Sequence, residues 1–241
     1  MIKVHDFHKS FGDKLVHKGV SFEVQKGECL GLIGGSGVGK SVILRSLIGL
    51  EKPDRGLIEI DGVIITGLNE RELVDIRKKV AYIFQGGALF DSMTVFENLA
   101  YPIREHSKTN EAALTEKVLT QLQQFGLQGS EYVYPAQLSG GMQKRVGIAR
   151  AMMMNPEFVL YDEPTAGLDP FNTKKIQELI LHLKSTGVTS ILVTHDMPTA
   201  MAVCDRLVFL LNGRIEAQGT LAEVKSESNP LIKKFIDGEA S

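Results

Sequence analysis

The sequence predicts an α/β fold with a mostly parallel sheet at its core and a helical segment inserted into that core. Short apolar runs alternate with helical patterns in the first and last thirds of the chain, as in layered α/β domains. Between about residues 85 and 156, helical periodicity dominates and strand signals are scarce. The 241 residues, 43% of them hydrophobic, suffice for one large domain or for a core with a smaller lobe.

The N-terminal part is predicted to begin with β-structure. Stretches rich in β-branched and apolar residues, at 1–4, 20–24 and 57–60, are separated by turns that contain glycine. Residues 29–33 form an apolar run that ends in a glycine cluster, and a helical pattern follows at 40–50. This order predicts a strand, a phosphate-binding loop and a helix.

The middle and the C-terminal part are predicted to differ. Helical patterns cover 111–125 and 140–154, whereas strand and helix signals alternate again from residue 158 onwards. A run at 207–211 and the Asn212-Gly213 turn predict a closing hairpin. The helices of the middle therefore interrupt the alternating core.

Composition and charge exclude several classes of protein. The formal charge is −2, so nothing indicates a general attraction to nucleic acid, and we expect no nucleic-acid partner. The two cysteines, Cys29 and Cys204, lie in apolar stretches and are expected to be buried, reduced thiols. The longest apolar run is far shorter than the roughly 20 residues of a membrane helix, and the N-terminus lacks a signal-peptide core. We expect a cytoplasmic protein unless a partner holds it at a membrane.

A glycine-rich loop between the third predicted strand and its helix matches the pattern G-x-x-x-x-G-K-S. Glycines let successive backbone N–H groups point at one phosphate, and the positive end of the helix dipole adds to this attraction. Lys40 is expected to reach the β- and γ-phosphates, and the Ser41 hydroxyl to coordinate Mg²⁺. The expected nucleotide-binding residues are Gly34, Gly35, Ser36, Gly37, Val38, Gly39, Lys40 and Ser41.

Two adjacent carboxylates follow the apolar run at 158–161. Parallel strands of α/β domains present their ligand-binding residues at their carboxyl ends, which is where Asp162 and Glu163 would lie. Beside a phosphate loop, Asp162 would hold Mg²⁺ through its water shell, and Glu163 would polarise the attacking water. The pair thus predicts hydrolysis of the bound nucleotide.

The segment Leu-Ser-Gly-Gly-Met-Gln at 138–143 resembles the signature sequence of the ABC family. Other motifs of the family occur in its order, and the resemblance extends from about residue 2 to residue 220. The chain is therefore similar to the ATP-binding subunits of ABC transporters. The residues that match are an aromatic side chain, the Q-loop glutamine, the signature, the D-loop aspartate and the switch histidine: Phe11, Gln85, Ser139, Gly140, Gly141, Gln143, Asp169 and His195.

The resemblance implies a RecA-like P-loop NTPase core with an N-terminal antiparallel β subdomain and an inserted helical subdomain. We expect one ABC ATPase domain, 1–241, whose nucleotide-binding core comprises 1–85 and 157–220. The helical subdomain, with the signature, would be 86–156, and 221–241 would form a C-terminal tail. This tail carries apolar residues at helical spacing: Leu231, Ile232, Phe235 and Ile236.

The resemblance also implies how these residues would act on MgATP. Two copies would pack head to tail as a homodimer, and Ser139 of each copy would cap the γ-phosphate held by the other. Phe11 would stack on adenine, and the signature residues and Asp169 would complete the nucleotide site. The catalytic residues would be Lys40, Gln85, Glu163 and His195. The metal ligands would be Ser41, Gln85 and Asp162.

Four of these residues have structural alternatives. Gln85, taken alone, is compatible with an ordinary polar position at a strand end. Phe11 is compatible with a place in the core, and His195 with a structural hydrogen bond at a strand end. Asp169 precedes Pro170, so it is also suited to be the N-cap of a helix with a first-turn proline, and the two roles are compatible.

The amino-acid sequences of two segments, 85–102 and 161–168, indicate the transported cargo. They resemble the ATPases of bacterial maintenance-of-lipid-asymmetry (MCE-type) phospholipid transport systems. This implies an integral membrane permease, an MCE-type lipid-binding protein and a small regulatory subunit as partners, with the ATPase on the cytoplasmic face of the inner membrane. The exposed neighbourhood of Phe90 and Met93 would receive the permease. One alternative is an importer of small polar solutes. The other is a soluble ABC protein that does not act in transport. This second alternative is less favoured, because such proteins usually have two cassettes or a long coiled-coil insertion, and this sequence has one cassette and no such insertion.

Overall fold

The computed structural model describes residues 1–226 and residue 233, and in this part it contains ten strands and eight α-helices. The strands are β1 (Ile2–Phe11), β2 (Lys14–Val24), β3 (Cys29–Ile33), β4 (Arg55–Ile60), β5 (Val63–Ile64), β6 (Val80–Ile83), β7 (Phe158–Asp162), β8 (Thr189–Thr194), β9 (Arg206–Leu211) and β10 (Arg214–Thr220). The helices are α1 (Lys40–Leu47), α2 (Glu70–Lys79), α3 (Val95–His106), α4 (Glu111–Gln124), α5 (Gly140–Met152), α6 (Pro170–Ser185), α7 (Met197–Val203) and α8 (Leu221–Ser226).

The strands form two sheets. An antiparallel sheet has the order β2-β1-β4-β5, and a larger sheet has the order β10-β9-β3-β8-β7-β6. In the larger sheet every neighbouring pair from β9 to β6 is parallel, and only the last strand, β10, is antiparallel. The predicted α/β architecture, with an antiparallel N-terminal part and a closing hairpin, is therefore confirmed.

The larger sheet is buried on both faces. In β3, Leu30 and Leu32 face the antiparallel sheet and α1, whereas Cys29 and Ile33 face the core that contains the helices of the insert. Strands that are covered on both sides need apolar residues at every position, which is why the sequence shows continuous apolar runs there. The two cores fix the carboxyl edge of this sheet, where the chemistry-bearing residues lie.

The first two strands are longer than predicted. The sequence indicated strands at 1–4 and 20–24, whereas β1 continues to Phe11 and β2 begins at Lys14. Polar side chains alternate with buried ones along both strands and thereby interrupt the apolar pattern. A half-exposed antiparallel ladder therefore extends the sheet beyond the stretches that apolar residues reveal.

The segment between β6 and β7 contains α3, α4 and α5 and no strand. These helices pack on one another and on one face of the larger sheet. The division into a core at 1–85 and 157–220, an insert at 86–156 and a tail at 221–241 stays a prediction. Of the tail, the apolar residues singled out in the sequence lie outside the described residues.

Among the described residues, no helix combines the length and the apolar character that a membrane span requires. The longest helix, α6, has 16 residues and carries charged side chains along its outer face. Cys29 and Cys204 are both buried and free, as expected from their apolar surroundings.

Candidate functional site

The phosphate loop connects β3 to α1 and depends on glycine for its shape. Gly37 and Gly39 have φ values of 77° and 98°, in the left-handed region that other residues adopt only under strain. A side chain at Gly34 would place its Cβ 2.5 Å from the carbonyl oxygen of Leu210. The loop is therefore held against β9 at one end and turns sharply into the first residue of α1 at the other.

Lys40, the first residue of α1, is directed back into the loop. Its Nζ donates hydrogen bonds to the carbonyl oxygens of Gly34 (2.7 Å) and Gly35 (2.9 Å), and lies 3.8 Å from Oε1 of Glu163. Burial lowers the pKa of this ammonium group, and the carboxylates of Glu163 and Asp162 oppose the shift. A buried cation at the N-terminus of a helix makes this loop a strong site for an anion.

Asp162 ends β7 and connects three elements. Its Oδ1 accepts a hydrogen bond from the Ser41 hydroxyl (2.7 Å), and its Oδ2 accepts one from the Tyr82 hydroxyl (2.7 Å). Burial raises the pKa of the Tyr82 hydroxyl well above its ordinary value, and the hydrogen bond to Asp162 adds to this effect. The structure thus holds the Asp162 carboxylate in one orientation, with one oxygen directed at the phosphate loop.

The donor chemistry of this corner suits Mg²⁺. Ser41 and Asp162 present adjacent oxygens, and Gln85 lines the same pocket as Ser41. Mg²⁺ in nucleotide sites takes a few protein oxygens and completes its shell with water and substrate phosphates. Residues 1–226 and 233 contain no group of three or more His, Cys, Asp or Glu placed to hold a metal. The residues present fit a cation that arrives together with a phosphate ligand.

Glu163 follows Asp162 in a strained backbone conformation. Its φ of 49° is unusual for a residue with a side chain, and its N–H donates to the carbonyl oxygen of Val193 (3.0 Å). Oε1 lies 2.9 Å from Nδ1 of His195, and Oε2 accepts a hydrogen bond from the Thr194 hydroxyl (3.2 Å). Two residues at the end of β8 therefore fix both oxygens of this carboxylate.

These elements enclose a cavity of about 380 Å³. Residues of the phosphate loop and α1 line it together with Gln85, Glu163 and His195. The cavity is lined by Ser36, Gly37, Gly39, Lys40, Ser41, Val42, Arg45, Gln85, Glu163 and His195. The side chain of His195 is 56% exposed, so a ligand in the cavity can approach it from solvent.

The structure also reveals a lysine that sequence reasoning missed. Lys144, in α5, donates hydrogen bonds to the carbonyl oxygens of Ala166 (3.0 Å) and Glu163 (3.5 Å). Burial lowers the pKa of Lys144, and the negative charge of Glu163 opposes this effect. Tyr82 was missed as well. For both, the available signal was a polar side chain close in sequence to a motif residue, Ser139 or Gln85.

The signature residues lie apart from the cavity. Ser139 is the N-cap of α5 and accepts a hydrogen bond from the Met142 N–H (3.3 Å). A Cβ at Gly140 would meet no atom within 4 Å, whereas one at Gly141 would collide with the side chain of Asn172. The Gln143 side chain donates to two backbone carbonyls of its own lobe. The open end of α5 therefore faces no residue of its own chain's cavity.

Asp169 and Phe11 also lie outside the cavity lining. Asp169 is the N-cap of α6 and accepts a hydrogen bond from the Asn172 N–H (3.0 Å), which confirms its structural alternative. Phe11 is 44% exposed at the end of β1, and Nζ of Lys9 lies 5.1 Å from the centre of its ring. The half-exposed ring excludes a fully buried core position.

Sequence comparisons relate the chain to transport ATPases. The family described as ABC transporter matches residues 17–166. The chain is 39% identical to the probable ribonucleotide transport ATP-binding protein mkl of Mycobacterium leprae, over 98% of this chain and 69% of that protein. It is 40% identical to the chloroplastic protein TRIGALACTOSYLDIACYLGLYCEROL 3 of Arabidopsis thaliana, over 99% and 74%. It is 34% identical to the intermembrane phospholipid transport system ATP-binding protein MlaF of Escherichia coli K12, over 100% and 90%.

Solved structures give the same relationship for the fold. A dimeric ATP-binding cassette, MJ0796, in a post-hydrolysis state with ADP and Pi, superposes with a TM-score of 0.84 at 32% identity, covering 92% of this chain and 99% of that one. The structure of cbiO1 from Clostridium perfringens, part of the ABC transporter complex cbiONQ, gives a TM-score of 0.86 at 29% identity over 97% and 93%.

Proposed function

This chain belongs to the ABC transporter family, and from that premise we propose that it binds MgATP as a homodimer and drives phospholipid transport through a separate permease. As a member of this family it is an ATPase. The observation that carries the catalytic part is the convergence of Lys40, Glu163 and His195 on one cavity. The cargo rests on similarity along the whole chain to two proteins whose names refer to lipids, one of which is named for phospholipid transport.

In the proposed reaction, water attacks the γ-phosphorus, the bond from this phosphorus to the bridging oxygen of ADP breaks, and ADP and inorganic phosphate leave. Lys40 and the N–H groups of residues 34–41 neutralise the phosphates, and Glu163 orients the water and accepts its proton. His195, 2.9 Å from the carboxylate, holds Glu163 in place and contacts the transferred group. Ser41, Gln85 and Asp162 would hold Mg²⁺, which supplies positive charge against the phosphate oxygens.

The homodimer follows from the position of the signature end of α5. Ser139 and Gly140 form an open helix N-terminus, a favourable place for an anion. Because this end faces no residue of its own cavity, we propose that it caps the nucleotide of a second copy. MJ0796, the related cassette, is described as dimeric in two solved structures, which supports this arrangement. The D-loop residue Asp169 and the N-cap Ser139 would then act across the interface.

We place the permease contact at the surface around Phe90. The ring is 40% exposed, lies 4.9 Å from the ring of Tyr101 and has the guanidinium of Arg150 at 5.3 Å. The Asn98 side chain accepts from the Phe90 N–H (2.9 Å) and donates to its carbonyl oxygen (3.1 Å), so the backbone beneath the ring is fixed. A fixed, exposed aromatic is suited to anchor a partner helix.

The remaining partners and the location are part of the same proposal. An MCE-type lipid-binding protein and a small regulatory subunit would complete the complex, with the ATPase on the cytoplasmic face of the inner membrane. A second candidate function, import of a polar solute, is favoured by the mycobacterial relative named for ribonucleotide transport. The two candidates share the ATPase chemistry and differ in the proteins that accompany the permease.

Affinity purification from detergent-solubilised host membranes, followed by mass spectrometry, tests the proposal. We expect a permease and an MCE-type protein with the tagged wild-type chain. Phe90→Ser should lose both, whereas Leu181→Ser, which alters an equally exposed apolar residue on α6 (41% against 40%), should keep them. A permease with a solute-binding protein would move the function to solute import. Recovery of no membrane protein would overturn the transport proposal and leave the ATPase intact.

A further inference from the structure

A histidine that the proposed mechanism does not use lies directly beneath the phosphate loop. His17 belongs to β2 and has no exposed surface. Both of its ring nitrogens are buried without a hydrogen-bond partner of good geometry. Since buried polar atoms are nearly always paired, an imidazole that tolerates this position requires a physical reason.

The reason is steric, because the ring, together with the side chain of Val16, fills the space under Gly39. A Cβ on Gly39 would lie 2.5 Å from Cε1 and 2.7 Å from Nε2 of His17. Gly39 is the N-cap of α1, and its carbonyl oxygen accepts from the Val42 N–H (2.9 Å). A displacement of the imidazole is therefore transmitted to the first turn of α1, which begins with Lys40.

His17 is held more firmly than the loop it supports. Its ring packs edge-on against the fully buried ring of Phe7, with the centroids 5.1 Å apart and the planes at 74°. The next residue, Lys18, donates its N–H to the carbonyl oxygen of Gly213 (2.8 Å), which joins β2 to the hairpin of the larger sheet. The loop itself is rich in glycine and has little stiffness of its own. The rigid side of this contact is the histidine.

The surroundings keep the imidazole uncharged. Burial lowers the pKa of His17 to about 4, and the backbone of Gly39 offsets part of that shift. Three cations adjoin this contact along the backbone: Lys9 is the partner of His17 across the β1–β2 ladder, Lys18 follows His17 in β2, and Lys40 follows Gly39. At neutral pH the ring therefore acts by its shape and adds no charge beneath the loop.

We propose that His17 is a positioning residue of the ATP site, whose uncharged imidazole supports Gly39 and so determines where α1 presents Lys40 and Ser41. The inference rests on the phosphate-binding role proposed for residues 34–41. It is independent of the cargo and of the permease.

The first test compares ATP hydrolysis kinetics of His17→Ala, His17→Leu and a control at pH 7.5. The control, Ile60→Ala, removes a buried side chain from the same core at the other end of β1, where Ile60 pairs with Ile2. We expect His17→Ala to raise the KM for ATP about 10-fold with a smaller effect on kcat, because the phosphates are bound before and during the reaction. His17→Leu restores most of the volume and should return KM to within about 3-fold of wild type.

Either of two results would overturn the inference. The first is a KM of His17→Ala within about 2-fold of wild type. The second is a rise in the KM of Ile60→Ala as large as that of His17→Ala, measured where the two variants are equally stable. Lys40→Ala, measured in parallel, separates this failure from a failure of the proposed site. If Lys40→Ala leaves ATP binding unchanged, the role of residues 34–41 is wrong. If the His17 variants bind ATP normally and Lys40→Ala does not, only the positioning role of His17 is wrong.

A pH profile of stability tests whether the imidazole is uncharged in the fold. The folded-state pKa of about 4 lies below the ordinary value of 6.5, so the unfolded chain binds more protons between these values. Stability must then fall as pH falls below 6.5, and the folding equilibrium constant should lose roughly 30-fold by pH 5 from this group alone. In urea titrations His17→Leu should lack this component. Parallel pH profiles for the two proteins would refute the buried, neutral ring.

Discussion

The two regions of the molecule for which we propose contacts with the nucleotide differ in how complete they are. At the carboxyl edge of the larger sheet, Lys40, Glu163 and His195 meet around one cavity and hold one another in place. At the N-terminus of α5, Ser139 accepts a hydrogen bond from the Met142 N–H of its own helix, and a Cβ on Gly140 would meet no atom within 4 Å. The first region is built within one chain, whereas the signature residues of the second do not line that chain's cavity.

The difference follows from topology. β3, β8 and β7 are adjacent parallel strands, so the loop after β3, Glu163 after β7 and His195 after β8 emerge at one edge of the sheet. Ligands of α/β domains bind at this edge. α5 starts in the helical segment, and its link to that edge is Lys144, which donates to two carbonyl groups after β7. In the proposed homodimer, a second copy would join these two regions.

Replacing the carboxylate that orients the water should have the largest effect. Glu163→Gln keeps the shape but cannot accept a proton, so kcat should fall about 1,000-fold with little change in KM. ATP should then remain bound and hold the dimer together, which gel filtration in the presence of ATP will show. Glu157→Gln, just before the other end of β7, serves as the control and should retain wild-type turnover. Hydrolysis by Glu163→Gln at the wild-type rate would remove the role assigned to this residue.

Mixing two inactive variants tests whether the half-sites act across an interface. Lys40→Ala disables the loop side, and Ser139→Asp keeps an N-cap but places a negative charge where a phosphate would bind. Each alone should lose about 100-fold in turnover. A mixed dimer contains one intact composite site, so equal amounts should recover up to about a quarter of wild-type activity.

The neutral cap Ser139→Asn is the control for the mixing experiment and should lose much less activity than Ser139→Asp. If the mixture stays as inactive as its components, the signature acts within its own chain or not at all. That outcome would contradict the comparison of complete and incomplete regions directly.

Lys144 should produce an intermediate effect, because it connects the two regions without contacting the cavity. Glu163 has a positive φ, and Lys144 binds the carbonyl group of that strained residue. Lys144→Met should therefore lower kcat about 10-fold with KM within about 2-fold, and Lys144→Arg should restore most of the loss. A fall in thermal stability with normal kcat at low temperature would assign Lys144 to the fold alone.

The sequence predicted those parts of the site whose function depends on residues adjacent in the chain. The glycine loop with Lys40 and the strand end with Glu163 are contiguous patterns, and each needs only its own strand or helix to be recognised. Tyr82, Lys144 and His17 act on partners 80, 22 and 22 residues away, through contacts that the packing of separate elements creates. No motif in the neighbouring sequence indicates these roles. The half-exposed ends of β1 and β2 were missed for a related reason, because packing and not the periodicity of apolar residues determines where these strands end.

The smallest effect is expected at Phe11, which belongs to neither region as the chain stands. Its ring is half-exposed, lies under the Lys9 ammonium group and does not line the cavity. If it stacks on adenine, Phe11→Ala should raise the KM for ATP about 5-fold without changing kcat, and Phe11→Tyr should behave as wild type. Tripolyphosphate, which has no base, should inhibit both proteins equally. If Phe11→Ala instead loses as much affinity for tripolyphosphate as for ATP, Phe11 supports the fold around Lys9. The loop side of the site would then be defined by phosphate contacts alone.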